Sequence, residues 1–281
     1  MQKNLNSKYS KLAVPLKSKG RLFSEKQSDL RSPFQRDRDR IIHSTAFRRL
    51  KHKTQVFMNT SGDHYRTRIT HSLEVSQIAR TLAKYFNLNE DLCESLSLAH
   101  DLGHTPFGHA GEDVLNNCMK NNGGFDHNIQ TLRIVTFLEK KYYNFNGLNL
   151  SIETLDGLVK HNGPVLNLDK LEKILGKNPF QKKINFKQSA SLEAQIASIS
   201  DDVAYNSHDI EDGLKEKLFK IEDLKKISVI SEIIKKNKKK FYKVDNDIFI
   251  RELVRNLINE MVSDLIKNTI KNLEKNQIKN I

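Results

Sequence analysis

His100-Asp101-Leu102-Gly103-His104-Thr105-Pro106-Phe107-Gly108-His109-Ala110-Gly111-Glu112 packs three histidines, two acids and three glycines into thirteen positions. The pair His100-Asp101 closes a segment in which Leu92, Leu96 and Ala99 recur at helical spacing. His100 follows Leu96 by one helical turn, so it faces inward with it. A Gly/Pro loop comes next, and then His109 and Glu112 at i, i+3 spacing. A core gains nothing from polar groups at this density, because each needs a partner once it leaves water. A metal site uses them.

Moving outward, the periodicity predicts a helix over about 69–86 with the stripe Val75, Ile78, Ala79, Leu82 and Phe86. His71 lies four residues before Val75 and shares that face. A helix beginning near Ser189 places Ala194, Ala197, Asp201, Tyr205, His208 and Asp209 at i+3/i+4 steps. Three inward-facing groups thus come from three helices: His71, the pair His100-Asp101, and Asp201. Two histidines and two carboxylates suit a divalent cation, with positions left open for water and phosphate. A single inward histidine is more often a satisfied core residue, and a single acid a cap or ion pair. Together they are hard to satisfy without a shared cation.

The rest of the chain reads as helices and loops. Amphipathic helices are predicted over about 36–52, 90–102, 110–120, 127–141 and 151–161, and later over 220–237 and 247–276. Gln55-Val56-Phe57 reads as a short extended piece, and 59–63 as a loop by turn chemistry. Residues 1–30 read as a flexible arm, and 164–187 as weakly patterned and holding a linker. Strand signals are scarce, so the expected fold is all-α. There is no internal repeat.

Composition limits the classes. The 281 residues suffice for a sizeable core. At 37% hydrophobic and 29% charged, they describe a polar globular chain. The net charge of +13 favours anionic partners such as nucleotides, nucleic acid or acidic lipid; a Lys/Asn/Ile-rich coding bias accounts for it equally well. Much of the lysine stands in runs such as 235–236 and 238–240, which read as solvated faces or loops. Cys93 and Cys118 fall in helical patterns and read as buried thiols. No segment has signal-peptide character or approaches the roughly 18 apolar residues of a membrane span, which leads to a cytoplasmic expectation.

At this point the chain resembles a known family. His71, His100-Asp101 and Asp201 match the H…HD…D pattern of the HD-domain metal-dependent phosphohydrolases. The likeness narrows to the dGTP triphosphohydrolase family through residues 31–56, 65–80, 100–112, 125–134 and 200–213. It implies an HD-domain helical bundle with additional N- and C-terminal helices. The HD-type domain would span 31–215, with its core at about 65–210. Residues 216–281 would form a C-terminal helical extension shorter than is usual for the family, which would affect base recognition and assembly.

The implied reaction splits a deoxynucleoside triphosphate, dGTP foremost, into deoxynucleoside and inorganic triphosphate. By motif position, His71, His100, Asp101 and Asp201 would hold the metal, with Mg2+ or Mn2+ favoured over Zn2+, Fe2+ or Ni2+. His109 would be the catalytic histidine, held by Glu112. His104 and His127 would contact phosphate oxygens or transfer protons. Arg68 would hold the α-phosphate, Tyr205 and Asp209 the sugar, and Gln55 the 3′ side of the ribose. The likeness also implies a homo-oligomer. Two alternatives stay open: an HD phosphohydrolase for another nucleotide or phosphate ester, and a regulatory protein binding single-stranded nucleic acid. His43, His52, His64, His161 and His208 read as structural or surface residues.

Overall fold

The computed structural model describes residues 9–26, 28–57, 65–176, 179–237 and 244–278. The predicted loop over 59–63, His64 and the lysines at 238–240 lie outside the described residues. Among the described residues the fold is all-α, with two isolated β-bridges, Arg21 to Ser151 and Thr54 to Thr67. No described helix is long and apolar enough to cross a membrane. The chain divides into two compact units, 1–201 and 202–278.

In the first unit, α1 (Pro33–Ile42) starts at a capping box, in which Ser32 and Gln35 satisfy each other's backbone N–H groups. The single helix expected over 36–52 is broken at His43-Ser44. The Ser44 hydroxyl accepts from Phe47 N and begins a new helix, α2 (Thr45–Arg49), followed by a 3-10 turn, Leu50–His52. Glu139 reinforces the break, accepting from Thr45 N at 2.6 Å and Ala46 N at 3.0 Å.

The centre of the unit is α3 (Arg68–Phe86) packed on α4 (Glu90–Ala99). The predicted stripe Val75, Ile78, Ala79, Leu82 and Phe86 is buried. Asn87, left-handed at φ 56°, ends α3, and Asn89 caps α4 through Leu92 N. Then come α5 (Gly108–Cys118), α6 (His127–Arg133) and α7 (Ile152–Val159). The helix expected over 127–141 changes to a π turn at Ile134–Leu138. The returning chain takes its last carbonyls, with Leu148 N on Val135 O at 2.7 Å and Gly147 N on Glu139 O at 2.8 Å.

Two expectations are corrected. The segment 164–187 is not a linker: it holds α8 (Asp169–Leu175) and the 3-10 turn Pro179–Lys183, and it buries Leu171, Phe180, Ile184 and Phe186 in the main core. The described part of the N-terminal arm is not loose. Tyr9 and Leu12 are buried, and Tyr9 meets the Phe86 ring edge-on at 5.7 Å. Val14 N donates to Glu193, and Arg21 to Asp37 and to Asn149 O. These residues cover polar atoms that would otherwise lie open, a long-range role invisible to local periodicity. Cys93 is buried as expected, whereas Cys118 is exposed.

Helix α9 (Leu192–Lys215) contains the boundary between the units, at Asp201-Asp202. The second unit adds α10 (Ile221–Leu224), α11 (Ser228–Lys236) and α12 (Asn246–Lys275). Its own core includes Leu224, Ile230, Ile233, Ile250, Leu253 and Leu257.

Candidate metal centre and histidine cluster

The site begins where an extended segment meets the start of α3. Arg68 N donates to Lys53 O at 2.9 Å and Gln55 N to Arg66 O at 3.3 Å, so Gln55 and Arg68 are held beside each other. One turn into α3 stands His71, with its Nε2 2.8 Å from Asp201 Oδ1 on α9. His100, in the turn that ends α4, donates Nδ1–H to Ser97 O at 2.6 Å. That bond fixes the tautomer and leaves a lone pair on Nε2. His100 Nε2 is buried without a hydrogen-bond partner, 3.5 Å from both Asp101 Oδ1 and Asp201 Oδ1.

The donor atoms of His71, His100 and Asp201 lie within 4.8 Å of one another. Asp101 stands beside this triad. Its Oδ2 accepts from Arg68 Nη1 at 2.7 Å, and its Oδ1 faces His100 Nε2 and His104 Nε2, the latter at 3.4 Å. Two imidazoles and a carboxylate, with an orphaned and correctly tautomerised nitrogen among them, fit a divalent first-row cation or Mg2+. The electrostatics agree. Burial pulls the His100 imidazole down, but the Asp101 and Asp201 carboxylates outweigh it and raise it to about 9. Burial pushes Asp101 and Asp201 up, yet the facing cationic groups hold both well below the usual carboxylate range. A proton on His100 takes the place that a cation fills.

The loop carries the chain to a second cluster. Gly103 permits this: a Cβ there would fall 2.1 Å from His127 O and 2.4 Å from Thr131 N. Gly108, at φ 54°, brings the backbone against Arg68, where a Cβ would lie 3.0 Å from Nη2. His104, His109 and His127 bring one ring nitrogen each within 4.8 Å. His104 stacks on His127 at 3.9 Å between centroids, and His109 sits edge-on to His104 at 5.3 Å. His104 is pushed down to about 2 by burial, with Arg68, His127 and His109 adding to it, so it is a neutral imidazole.

Here one expected pairing changes. Glu112 holds His127, not His109: Oε2 is 2.7 Å from His127 Nδ1 and Oε1 accepts from His127 N at 2.9 Å. Spacing i, i+3 identifies neighbours on one helix but not a partner arriving on α6. Gln55 Oε1 and Arg68 Nε are buried without hydrogen-bond partners, and each has capacity to spare for a ligand. Tyr205 and Asp209 follow Asp201 on α9 and belong to the second unit, with Tyr205 partly exposed.

Two residues escaped the sequence reading. His161, which reads as structural or surface in the sequence, stacks on His100 at 5.3 Å and places Nε2 3.5 Å from Asp201 Oδ2. Its carbonyl accepts from Ser198 Oγ at 2.7 Å, which ties this turn to α9. The available signal was its position three after the buried Leu158. Lys53 donates to Leu102 O at 3.2 Å and is lowered to about 8, first by burial and then by Arg68. It stands two before Gln55 in an extended segment, hence on the same face.

The family model described as "HD domain" matches residues 68–206, the span that holds both clusters, and the all-α fold and paired His/Asp site are those of an HD-domain protein. The chain is 62% identical over 248 residues to the "Deoxyguanosinetriphosphate triphosphohydrolase-like protein" of Pelagibacter ubique (strain HTCC1062), covering 88% of this chain and 67% of that one. Proteins with the same name are 57% identical in Bartonella quintana (strain Toulouse) and 56% in Bradyrhizobium sp. (strain ORS 278), each covering 86% of this chain and 62% of the relative. The chain thus spans somewhat over three fifths of its relatives' length. It belongs to the deoxyguanosinetriphosphate triphosphohydrolase-like family of HD-domain proteins.

Proposed function

We propose that the chain carries out metal-dependent hydrolysis of a deoxynucleoside triphosphate, dGTP foremost, to deoxynucleoside and inorganic triphosphate. The observation that carries this is the adjacency of two unlike clusters in one unit. One has the nitrogen and oxygen donors of a cation site; the other is three imidazoles backed by the Glu112 carboxylate. His104 joins them, with Nε2 3.4 Å from Asp101 Oδ1.

His71, His100, Asp101 and Asp201 would hold the cation, Mg2+ or Mn2+ in this proposal. When bound, the ion polarises a phosphoryl oxygen and lowers the pKa of attached water. Arg68 binds the α-phosphate, its fork matched to phosphate oxygens. The neutral His104 and the Glu112-oriented His127 donate to phosphate oxygens as charge develops there. His109, exposed and reached from solvent, moves the proton at the reacting oxygen. Gln55 binds the 3′ side of the ribose. Assembly into a homo-oligomer, a cytoplasmic setting and affinity for single-stranded nucleic acid accompany the proposal as expectations.

The test is product analysis of purified protein with each deoxynucleoside triphosphate, with and without Mn2+ or Mg2+. Inorganic triphosphate is expected, and none after chelation. Release of orthophosphate or pyrophosphate in its place overturns the reaction type.

A further inference from the structure

A cavity of about 500 Å3 lies against the turn Leu102–Pro106, and of the residues in the two clusters only His104 also lines it. Its polar wall is cationic, with Arg49, Lys53 and Lys140. The one acid, Glu139, is already engaged by Thr45 N and Ala46 N. Lys53 is lowered to about 8 by burial, by Arg68 and by Arg49, with only Asp101 opposing, so cationic groups crowd one another there. His104 is 5% exposed and its Nδ1 is buried without a hydrogen-bond partner. The rest of the lining includes the apolar side chains Leu115, Phe125, Ile134 and Leu138.

We propose that this cavity is a second ligand site, for an organic phosphate, distinct from the metal centre. The chemistry follows from this mixed lining. Three cations with no free carboxylate call for an anion, and phosphate accepts from guanidinium and ammonium together. The apolar side calls for a carbon body, and the volume falls within the range of small-molecule pockets. The shared His104 places the occupant next to the metal side, because the same ring that lines the cavity faces Asp101 through Nε2 at 3.4 Å. None of this depends on the reaction proposed above.

The experiment uses phenyl phosphate and inorganic phosphate as probes, titrated by calorimetry into the full chain after chelation has removed divalent ions. Saturable binding of phenyl phosphate, tighter than that of inorganic phosphate, is expected. The double variant Arg49→Gln/Lys140→Gln, at two exposed positions, should bind about tenfold more weakly, the scale of a lost charge-assisted hydrogen bond. His109→Ala, in the other cluster, should leave it unchanged. Thermal unfolding of each variant checks that it folds. Absence of binding in the chelated protein, binding indifferent to the double variant, or binding lost in His109→Ala overturns the proposal.

Discussion

Glu112 and His127 are joined twice, the carboxylate taking both the ring Nδ1–H, at 2.7 Å, and the backbone N–H, at 2.9 Å. One acid thereby takes the first N–H of α6, beside the Asp126 cap, and orients a site imidazole. Glu112→Gln keeps the shape but weakens the orienting bond. It should lower kcat by about 10- to 100-fold, the usual cost of losing such a supporting carboxylate. Metal affinity, measured separately by Mn2+ titration, should stay within about twofold. A variant that loses metal and keeps its kcat when saturated would contradict this division of labour.

Asp201 is the residue on which the candidate metal centre converges, facing His71, His100 and His161. Asp201→Ala should abolish stoichiometric divalent metal binding by mass spectrometry of the dialysed protein. His161→Gln should weaken it by about tenfold, because His161 faces the Asp201 carboxylate but stands outside the triad of donor atoms. Equal effects of the two would make His161 a ligand.

In the metal-free protein, the sign of the His100 shift sets a pH dependence. Its folded value is raised from 6.5 to about 9, so its stabilising contribution is complete below pH 6.5 and is lost as pH rises through 9. A cation must displace that proton. Metal affinity should therefore rise by about tenfold per pH unit between those limits. Mn2+ affinity measured at several pH values decides it; a flat profile means that His100 is already neutral.

Much of this site is legible in the sequence. His71, His100 and Asp201 each stand one turn from a buried residue, Val75, Leu96 and Ala197, so periodicity alone turns them inward. What periodicity does not carry is partner identity. His161 points the same way but stands in the turn after a short helix, with no motif around it. The partner of Glu112 arrives from fifteen residues away on α6. The segment 164–187 lacks a pattern because its buried residues, Leu171, Phe180, Ile184 and Phe186, lie on a short helix, a 3-10 turn and irregular chain.

The N-terminal segment offers a stability test. Asp37 is fully buried and accepts from Arg21, from Ser151 N and Oγ, and from Thr154 Oγ1. Asp37→Ala removes the carboxylate and leaves the Arg21 charge without its counter-ion, at a cost of about 3–5 kcal/mol. Urea unfolding measures it. A loss below about 1 kcal/mol, the range of an exposed ion pair, would mean that the segment is not anchored there.

The central claim is that the metal centre and the three-histidine cluster work as one phosphohydrolase site. The most direct measurement is ion chromatography of the products from dGTP and Mn2+, run beside His109→Ala and Asp201→Ala. Deoxyguanosine and inorganic triphosphate in equal amounts, lost in both variants while His109→Ala still binds Mn2+, is the predicted result. Full activity in His109→Ala, or orthophosphate or pyrophosphate as the inorganic product, would contradict it.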